Sequence, residues 1–124
     1  AVWLESSLAE FKMILKDEIS RYGLPHDFSL AVSFAGRFLT GIDPTKLNPA
    51  FSLTQNKNYF FTHGDRDLRV LPHHFLFLKD YTKRNNINAD FWFVKSAYHV
   101  DAMLMFPEEY GKKMKLFFEK NLNQ

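Results

Sequence analysis

Short apolar runs alternate with amphipathic segments along this chain. Runs rich in aromatic and β-branched residues at 1–5, 59–62 and 90–95 predict three strands. The segments between and after them repeat apolar residues every three or four positions, which predicts helices with one buried face. The resulting order, β-α-α-β-α-β-α, is typical of a parallel sheet in an α/β protein.

Capping and breaking residues give these helices their expected bounds. The Ser7-x-x-Glu10 spacing is that of a capping box, and Gly23 is expected to end the helix that it starts. The remaining helices are expected at Asp27 to Leu39, Pro72 to about Arg84, and from Pro107 onward. The segment Ile42 to Asn58, with its Asp-Pro and Asn-Pro pairs, is expected to be a loop.

The composition indicates one domain, or one large piece of a domain. The chain has 124 residues, of which 46% are hydrophobic and 24% charged, an ordinary globular balance. Its 17% aromatic content, with 14 Phe, needs more burial than three strands and a few helices readily provide. We therefore expect a piece of a larger domain, in which the strand at 1–5 is buried on both faces.

Charge and residue usage exclude several classes of partner. The net charge is only +2 and the basic residues form no stripe, so we expect no nucleic-acid partner. No apolar run approaches 18 residues, so we expect no membrane span and no targeting segment. The absence of cysteine excludes disulfides and thiolate metal sites. It leaves the compartment of this soluble chain open, with the cytoplasm slightly favoured.

Two polar side chains follow strands directly and are the candidate chemical groups. Asp67 lies in the acidic turn after the 59–62 strand, and His99 lies in the polar loop after the 90–95 strand. The carboxyl ends of parallel strands are where ligands and catalytic side chains collect. A histidine there can act as a general base if a carboxylate holds its other ring nitrogen.

The residues around both groups resemble a known family. The HGxxDxxVxP pattern at His63 to Pro72, the HVDA segment at His99 to Ala102 and Pro107-Glu108-Glu109-Tyr110 resemble the C-terminal part of an α/β-hydrolase. The prolyl-oligopeptidase and dienelactone-hydrolase branch is the most similar. The resemblance implies that residues 1–124 are the C-terminal half of one doubly wound, mainly parallel catalytic domain. It also implies that the N-terminal half is the missing partner.

The resemblance implies roles for the candidate residues. Asp67 would be the acid and His99 the base of a Ser-His-Asp triad that cleaves a small ester or peptide substrate, as a prolyl-oligopeptidase-like peptidase or an esterase. The nucleophile should lie in a G-x-S-x-G turn, and none of the seven serines has that setting. The implied enzyme uses no cofactor, and its serine lies outside this chain, which alone should be inactive.

Each assignment has alternatives. Asp65 competes locally with Asp67, and Glu5 closes the preceding strand, where some hydrolases of this fold carry their acid. Asp101 is expected to cap a short helix. The set of His63, Asp67, His73, His74 and His99 lacks convincing ligand spacing for a metal, so we expect none, and His63 is expected to pack or to bond loop backbone.

The helix at Asp27 to Leu39 has two interpretations. Its apolar face, formed by Phe28, Ala31, Val32, Ala35 and Phe38, predicts core packing, or a wall of an acyl pocket if the resemblance holds, and burial is favoured.

The chain as a whole also has a second functional interpretation. It would be a non-catalytic fragment that acts by association, including self-association through an open sheet edge.

Overall fold

The computed structural model describes residues 1–25 and 27–122. Its strands are β1 (Val2–Glu5), β2 (Tyr59–Gly64) and β3 (Ala89–Val94). Its helices are α1 (Phe11–Arg21), α2 (Phe28–Thr40), α3 (Pro72–Arg84), α4 (Ala102–Met105) and α5 (Pro107–Leu122). Two short 3-10 helices at Pro44–Lys46 and Pro49–Ser52 interrupt the segment expected to be loop. The predicted order of strands and long helices is confirmed.

The chain forms two compact units. The first consists of Ala1–Ser7 and Leu53–Gln124 and contains the sheet with α3, α4 and α5. The second, Leu8–Ser52, contains α1, α2 and the two 3-10 helices. Both candidate residues belong to the first unit.

The sheet is parallel, with the strand order β1-β2-β3. Tyr59 pairs with Val2 on one side and with Ala89 on the other, so β2 is central. Because all three strands run the same way, their carboxyl ends meet at one edge of the sheet. That edge is where Asp67 and His99 follow their strands.

Aromatic side chains pack α3 and α5 onto opposite faces of the sheet. Since successive side chains of a strand point to opposite faces, Phe60 and Phe61 of β2 serve different helices. Phe60 stacks on Trp3 at 4.0 Å and meets Phe117 of α5 edge-on at 5.5 Å. Phe61 stacks on Phe91, which meets Phe75 of α3 edge-on. The many aromatic side chains therefore form a core layer on each side of the sheet.

The bounds of α3 and α5 are those expected from the sequence. Each helix has proline as its first residue, where the fixed φ suits a helix and the missing N–H donor costs nothing. None of the helices within residues 1–25 and 27–122 is both long and apolar enough to cross a bilayer.

Strand β1 is not fully buried in this chain, and its burial on both faces within a larger domain stays a prediction. All four of its residues are only partly buried. Among the described strands β1 pairs with β2 alone and forms an edge of the sheet. An apolar run of four residues predicts a strand but does not say how many neighbours cover it.

The predicted capping box at Ser7 to Glu10 is also wrong. Helix α1 begins at Phe11, and its N-cap residue Glu10 makes no side-chain cap hydrogen bond. The backbone before the helix is instead paired with the 47–50 segment. Phe11 N–H donates to the Leu47 carbonyl, and Ala50 N–H donates to the Ala9 carbonyl. With this pairing on either side of it, Glu10 stays extended (φ −139°, ψ 142°), and the helix begins only at Phe11.

Helix α2 has the predicted position but not the predicted burial. It ends at Gly41, which adopts the left-handed conformation with φ 71°, as expected of a C-terminal glycine. Its large apolar side chains are largely exposed, with Leu30 at 72%, Phe34 at 74% and Phe38 at 80%. The second unit has too few elements to cover both helices. The acyl-pocket interpretation stays a prediction.

Candidate active site

The acidic turn after β2 and the loop after β3 are joined by backbone hydrogen bonds. Asp65 N–H donates to the Val94 carbonyl at 3.0 Å, and Arg66 N–H donates to the Ala97 carbonyl at 3.0 Å. The Asp65 carboxylate in turn accepts from Ser96 N–H at 2.6 Å. Asp65 thus links the two segments and does not compete with Asp67 for His99.

Gly64 permits the close approach of these two segments. A Cβ atom at this position would lie 2.3 Å from the Ala97 carbonyl oxygen and 2.5 Å from that of Tyr98. Such contacts are far inside van der Waals separation. The glycine of the HGxxD pattern is therefore required by the backbone of the histidine loop passing directly over the end of β2.

Asp67 is a buried carboxylate held by the backbone that follows it. Its side chain is fully buried, and the residue as a whole is only 1% exposed. Oδ1 accepts from Arg69 N–H at 2.8 Å and from Val70 N–H at 2.9 Å. These two donors fix the carboxylate plane, and they leave Oδ2 to face the histidine loop.

His99 completes an acid–base pair with Asp67. Its Nδ1 lies 2.9 Å from Asp67 Oδ2, and its side chain is 34% exposed. The buried carboxylate fixes Nδ1 as the nitrogen that carries the proton, so that Nε2 is left as the basic nitrogen. The structure therefore brings together the two residues that the resemblance marks as acid and base.

The hydrogen bonds around Asp67 hold its carboxyl group ionised. Burial raises the pKa of this group, but the hydrogen bonds to it outweigh the burial and lower the pKa below its ordinary value. The donors are His99, the amides of Val70 and Arg69, and the Ser6 hydroxyl. A carboxylate that stays charged can stabilise an imidazolium beside it.

His63 supports the acidic turn from within the core. Its ring is buried, and burial lowers the pKa of the imidazole, which favours the neutral form. Nε2 lies 2.9 Å from the Val70 carbonyl, so this nitrogen donates, and it also lies 3.5 Å from Asp67 Oδ2. The prediction that His63 packs or bonds loop backbone is confirmed.

Glu5, the alternative acid, has structural partners. Its Oε1 accepts from Ala102 N–H at 3.2 Å, and its Oε2 accepts from the Tyr110 hydroxyl at 3.0 Å. The Tyr110 oxygen in turn accepts from Trp3 Nε1–H at 3.0 Å. Glu5 therefore ties β1 to α4 and α5, and it is Asp67 that meets His99.

The prediction that Asp101 caps α4 is correct in position but wrong in hydrogen bonding. Asp101 occupies the N-cap position of α4 but makes no side-chain cap hydrogen bond. Its carboxylate accepts from Tyr98 N–H at 3.3 Å instead. The amide of Ala102 at the start of α4 is bound by Glu5, which lies 97 positions earlier in the sequence.

The other two histidines weighed as metal ligands lie in the first turn of α3. The rings of His73 and His74 stack with their centroids 4.8 Å apart. Asp67, the carboxylate of that set, has its oxygens engaged by two amides and a histidine. The arrangement is that of a hydrogen-bonded acid, and the expectation of no metal stays a prediction.

Sequence reasoning missed two residues at this site. Ser6 was considered only as a nucleophile, and Val100 not at all. The Ser6 hydroxyl accepts from Val100 N–H at 3.2 Å, and both residues have left-handed backbone, with φ 48° and 59°. The one available signal was that Ser6 follows a strand end directly, as Asp67 and His99 do.

Solved structures with a similar fold include esterases. The chain aligns with the Pyrococcus furiosus esterase Pf2001 at a TM-score of 0.64 and 19% identity, over 97% of this chain and 45% of that one. A second crystal form of Pf2001 gives 0.58 at 17% identity, over 97% and 44%. The α/β hydrolase MGS-MChE2, from a metagenome of lagoon sediments at Mar Chica in Morocco, gives 0.54 at 19%, over 97% and 50%.

The chain has the α/β-hydrolase fold. Its three parallel strands with flanking helices span about half the length of these hydrolases. The sequence matches no protein-family model and no curated protein. The fold-level part of the resemblance is thus confirmed.

Proposed function

We propose that this chain supplies the acid and the base of a serine hydrolase that cleaves ester or peptide bonds. The observation that carries the proposal is the buried Asp67 carboxylate 2.9 Å from His99 Nδ1. The pair follows adjacent parallel strands of an α/β-hydrolase fold. In such hydrolases the acid and the histidine follow the nucleophile along the chain.

Each group has one step in the proposed mechanism. His99 Nε2 takes the proton of the serine hydroxyl as that oxygen attacks the substrate carbonyl. Asp67 holds the ring through Nδ1–H and stabilises the imidazolium, without taking the proton itself. The imidazolium then protonates the leaving group, and a water attacks the acyl-enzyme by the same route. The lowered pKa of Asp67 supports this role because the carboxylate must be charged.

The nucleophile belongs to a part of the enzyme outside these 124 residues. No serine of this chain stands in a G-x-S-x-G turn. Within the fold we assign the chain to the prolyl-oligopeptidase and dienelactone-hydrolase branch, on the His63 to Pro72 pattern. The similar esterase structures favour an ester substrate over a peptide.

The chain alone is expected to be inactive. An acid and a base without a nucleophile retain only weak general-base catalysis. Purified chain is incubated with p-nitrophenyl acetate and with an active-site fluorophosphonate, and we expect neither turnover nor labelling. Stoichiometric labelling of any serine in the chain would contradict the proposal that the nucleophile lies elsewhere.

The second candidate function is association without catalysis. It is favoured by the open edge of β1, which has no second neighbour among the described strands, and by the exposed face of α2. Reading the gene upstream of Ala1 for a G-x-S-x-G turn distinguishes the two functions. A nucleophile turn in that frame supports the hydrolase, and its absence supports association.

The isolated chain is expected to dimerise, aggregate or stay bound to an N-terminal hydrolase half. Strand β1 presents unpaired amides and carbonyls on its outer edge, next to partly buried Val2, Trp3 and Leu4. Burying each large apolar side chain is worth about 1.5 to 3 kcal/mol, so covering a few residues offsets a modest association cost. Light scattering on dilute chain measures this, and a monodisperse monomer that unfolds cooperatively would contradict it.

A further inference from the structure

The end of β1 holds the histidine loop through two consecutive side chains. The Glu5 carboxylate accepts from Ala102 N–H, and the Ser6 hydroxyl accepts from Val100 N–H at 3.2 Å. Val100 is the residue directly after His99. The main chain on the C-terminal side of the base is therefore fastened to a strand that lies 94 positions earlier in the sequence.

Val100 adopts a backbone conformation that its side chain disfavours. Its φ of 59° lies in the left-handed region, which is a true outlier for a β-branched residue. Such a conformation persists only where surrounding contacts enforce it. Val100 is 47% exposed, so packing covers only about half of the residue and can enforce this conformation only in part. The hydrogen bond from its amide to Ser6 is a further contact that can enforce it.

Ser6 is placed to hold this amide. The residue is only 6% exposed, and its hydroxyl accepts from Val100 N–H at 3.2 Å. The same hydroxyl also helps to lower the pKa of the Asp67 carboxyl. Ser6 thus forms a bridge from the end of β1 to the backbone beside His99.

We propose that Ser6 is a positioning residue of the acid–base pair, and that its hydroxyl holds His99 against Asp67 by binding the Val100 amide. The proposal rests on the function proposed above. This role explains why the backbone at Val100 stays strained. If the loop relaxed, the His99 ring would move away from Asp67 Oδ2. Ser6 touches neither substrate nor the reacting proton.

The variants that test the bridge are Ser6→Ala and Ser6→Gly. Both remove the hydroxyl, but glycine adopts the left-handed backbone of Ser6 (φ 48°) without steric cost, so Ser6→Gly separates the hydroxyl from backbone strain. Ser96→Gly is the matched control, since Ser96 is also a left-handed serine, at φ 62°. In the part of the chain that the structure describes, the Ser96 hydroxyl contacts neither Asp67 nor Val100.

The readout is the tautomer of His99 in the full protein, labelled with ¹⁵N at histidine. The shifts of the two ring nitrogens in mildly alkaline solution show which one carries the proton, and His99→Gln identifies the signal. We expect a bound Nδ1–H in the wild type. In both Ser6 variants the share of the other tautomer should rise about fivefold, as for a lost neutral hydrogen bond. Ser96→Gly should leave it unchanged.

Each result decides one of the two proposals. A wild-type Nδ1–H tautomer that stays unchanged in Ser6→Gly would overturn the role of Ser6 and leave the acid–base pair intact. A wild-type ring without a bound Nδ1–H would overturn the pair itself. If Ser6→Ala fails to fold, Ser6→Gly still tests the role of the hydroxyl, because glycine removes the backbone strain at position 6.

A suppressor variant tests the Val100 side of the bridge. Glycine at position 100 adopts φ 59° without strain, so a loop carrying Val100→Gly needs less support from Ser6. The pair Ser6→Gly and Val100→Gly is therefore expected to recover most of the Nδ1–H tautomer that Ser6→Gly loses. No recovery would overturn the bridge to Val100. With an active nucleophile half, Ser6→Gly should lower kcat about tenfold and leave KM within about twofold.

Discussion

Replacing His99 by alanine, in the hydrolase that we propose contains this chain, is expected to lower kcat by about 10³ to 10⁵ and to leave substrate binding nearly intact. The base acts on a proton that moves only in the transition state, so its loss affects kcat and not the bound substrate. Asp67→Asn is expected to fall in the same range. An amide cannot hold the His99 ring in its Nδ1–H tautomer, and it carries no charge to stabilise an imidazolium.

Steady-state kinetics of matched variants checks both residues. Asp65→Asn is the control for Asp67, since Asp65 lies two positions earlier and binds the Ser96 amide instead of the base. It should retain most of kcat. A loss under tenfold for His99→Ala would remove His99 from the mechanism. A mild Asp67→Asn combined with a severe Glu5→Gln would move the acid to the end of β1.

Gly64→Ala is expected to destabilise the fold by about 3 kcal/mol or more, as overpacking against fixed groups does. The added methyl would meet the Ala97 carbonyl oxygen at 2.3 Å and the Tyr98 carbonyl oxygen at 2.5 Å. Both atoms are main chain, so no side-chain rotation relieves the contact. The histidine loop would have to lift off the end of β2, which would separate His99 from Asp67 as well.

Denaturant unfolding of the full protein measures this effect. Gly111→Ala is the matched control, because Gly111 lies within α5 and a Cβ there meets no atom within 4 Å. Alanine at an exposed helical glycine should stabilise by about 0.5 to 1 kcal/mol. Opposite signs at the two glycines are the expected result. A neutral Gly64→Ala would show that the loop does not pass over the strand end as closely as it does here.

Both predictions concern the packing of the His99 loop against the end of β2. The loop carrying His99 passes over the strand that leads to Asp67, and Gly64 is the contact point that allows it. Asp65 then binds the loop from the turn side, and Glu5 and Ser6 bind it from β1. His99 itself contributes only the bond to Asp67. Its position is thus set mainly by the main chain on either side of it.

Local sequence was sufficient for the elements with strong end signals. Helices α3 and α5 begin at Pro72 and Pro107, as expected, because proline at the first helical position acts within its own turn. The aromatic strand β2 was expected at residues 59–62 and extends to Gly64. The resemblance carried by the HGxxDxxVxP pattern and the HVDA segment also marked Asp67 and His99. Both follow parallel strands, whose carboxyl ends gather at one edge of the sheet.

Where the chain depends on distant partners, the sequence predicted less. The capping box at Ser7 failed because the 47–50 segment pairs with the backbone before α1. Asp101 failed as a cap because its carboxylate binds the Tyr98 amide, which precedes α4, and Glu5 binds the first amide of α4. The apolar faces of β1 and α2 predicted a strand and a helix correctly, but not how far each is buried in this chain. Burial depends on which other elements cover a face, and a periodic pattern carries no information about that.

The sequence by itself determined the order of the elements, the parallel sheet and the two residues that follow its strands. Only the tertiary structure decided that Asp67 Oδ2 meets His99 Nδ1 at 2.9 Å, that Glu5 is occupied elsewhere, and that Ser6 bridges to Val100. The physical reason is separation along the chain. Strand and helix propensities act within a few residues, whereas the bond from Val100 to Ser6 spans 94 positions and forms only once the sheet has brought both ends together.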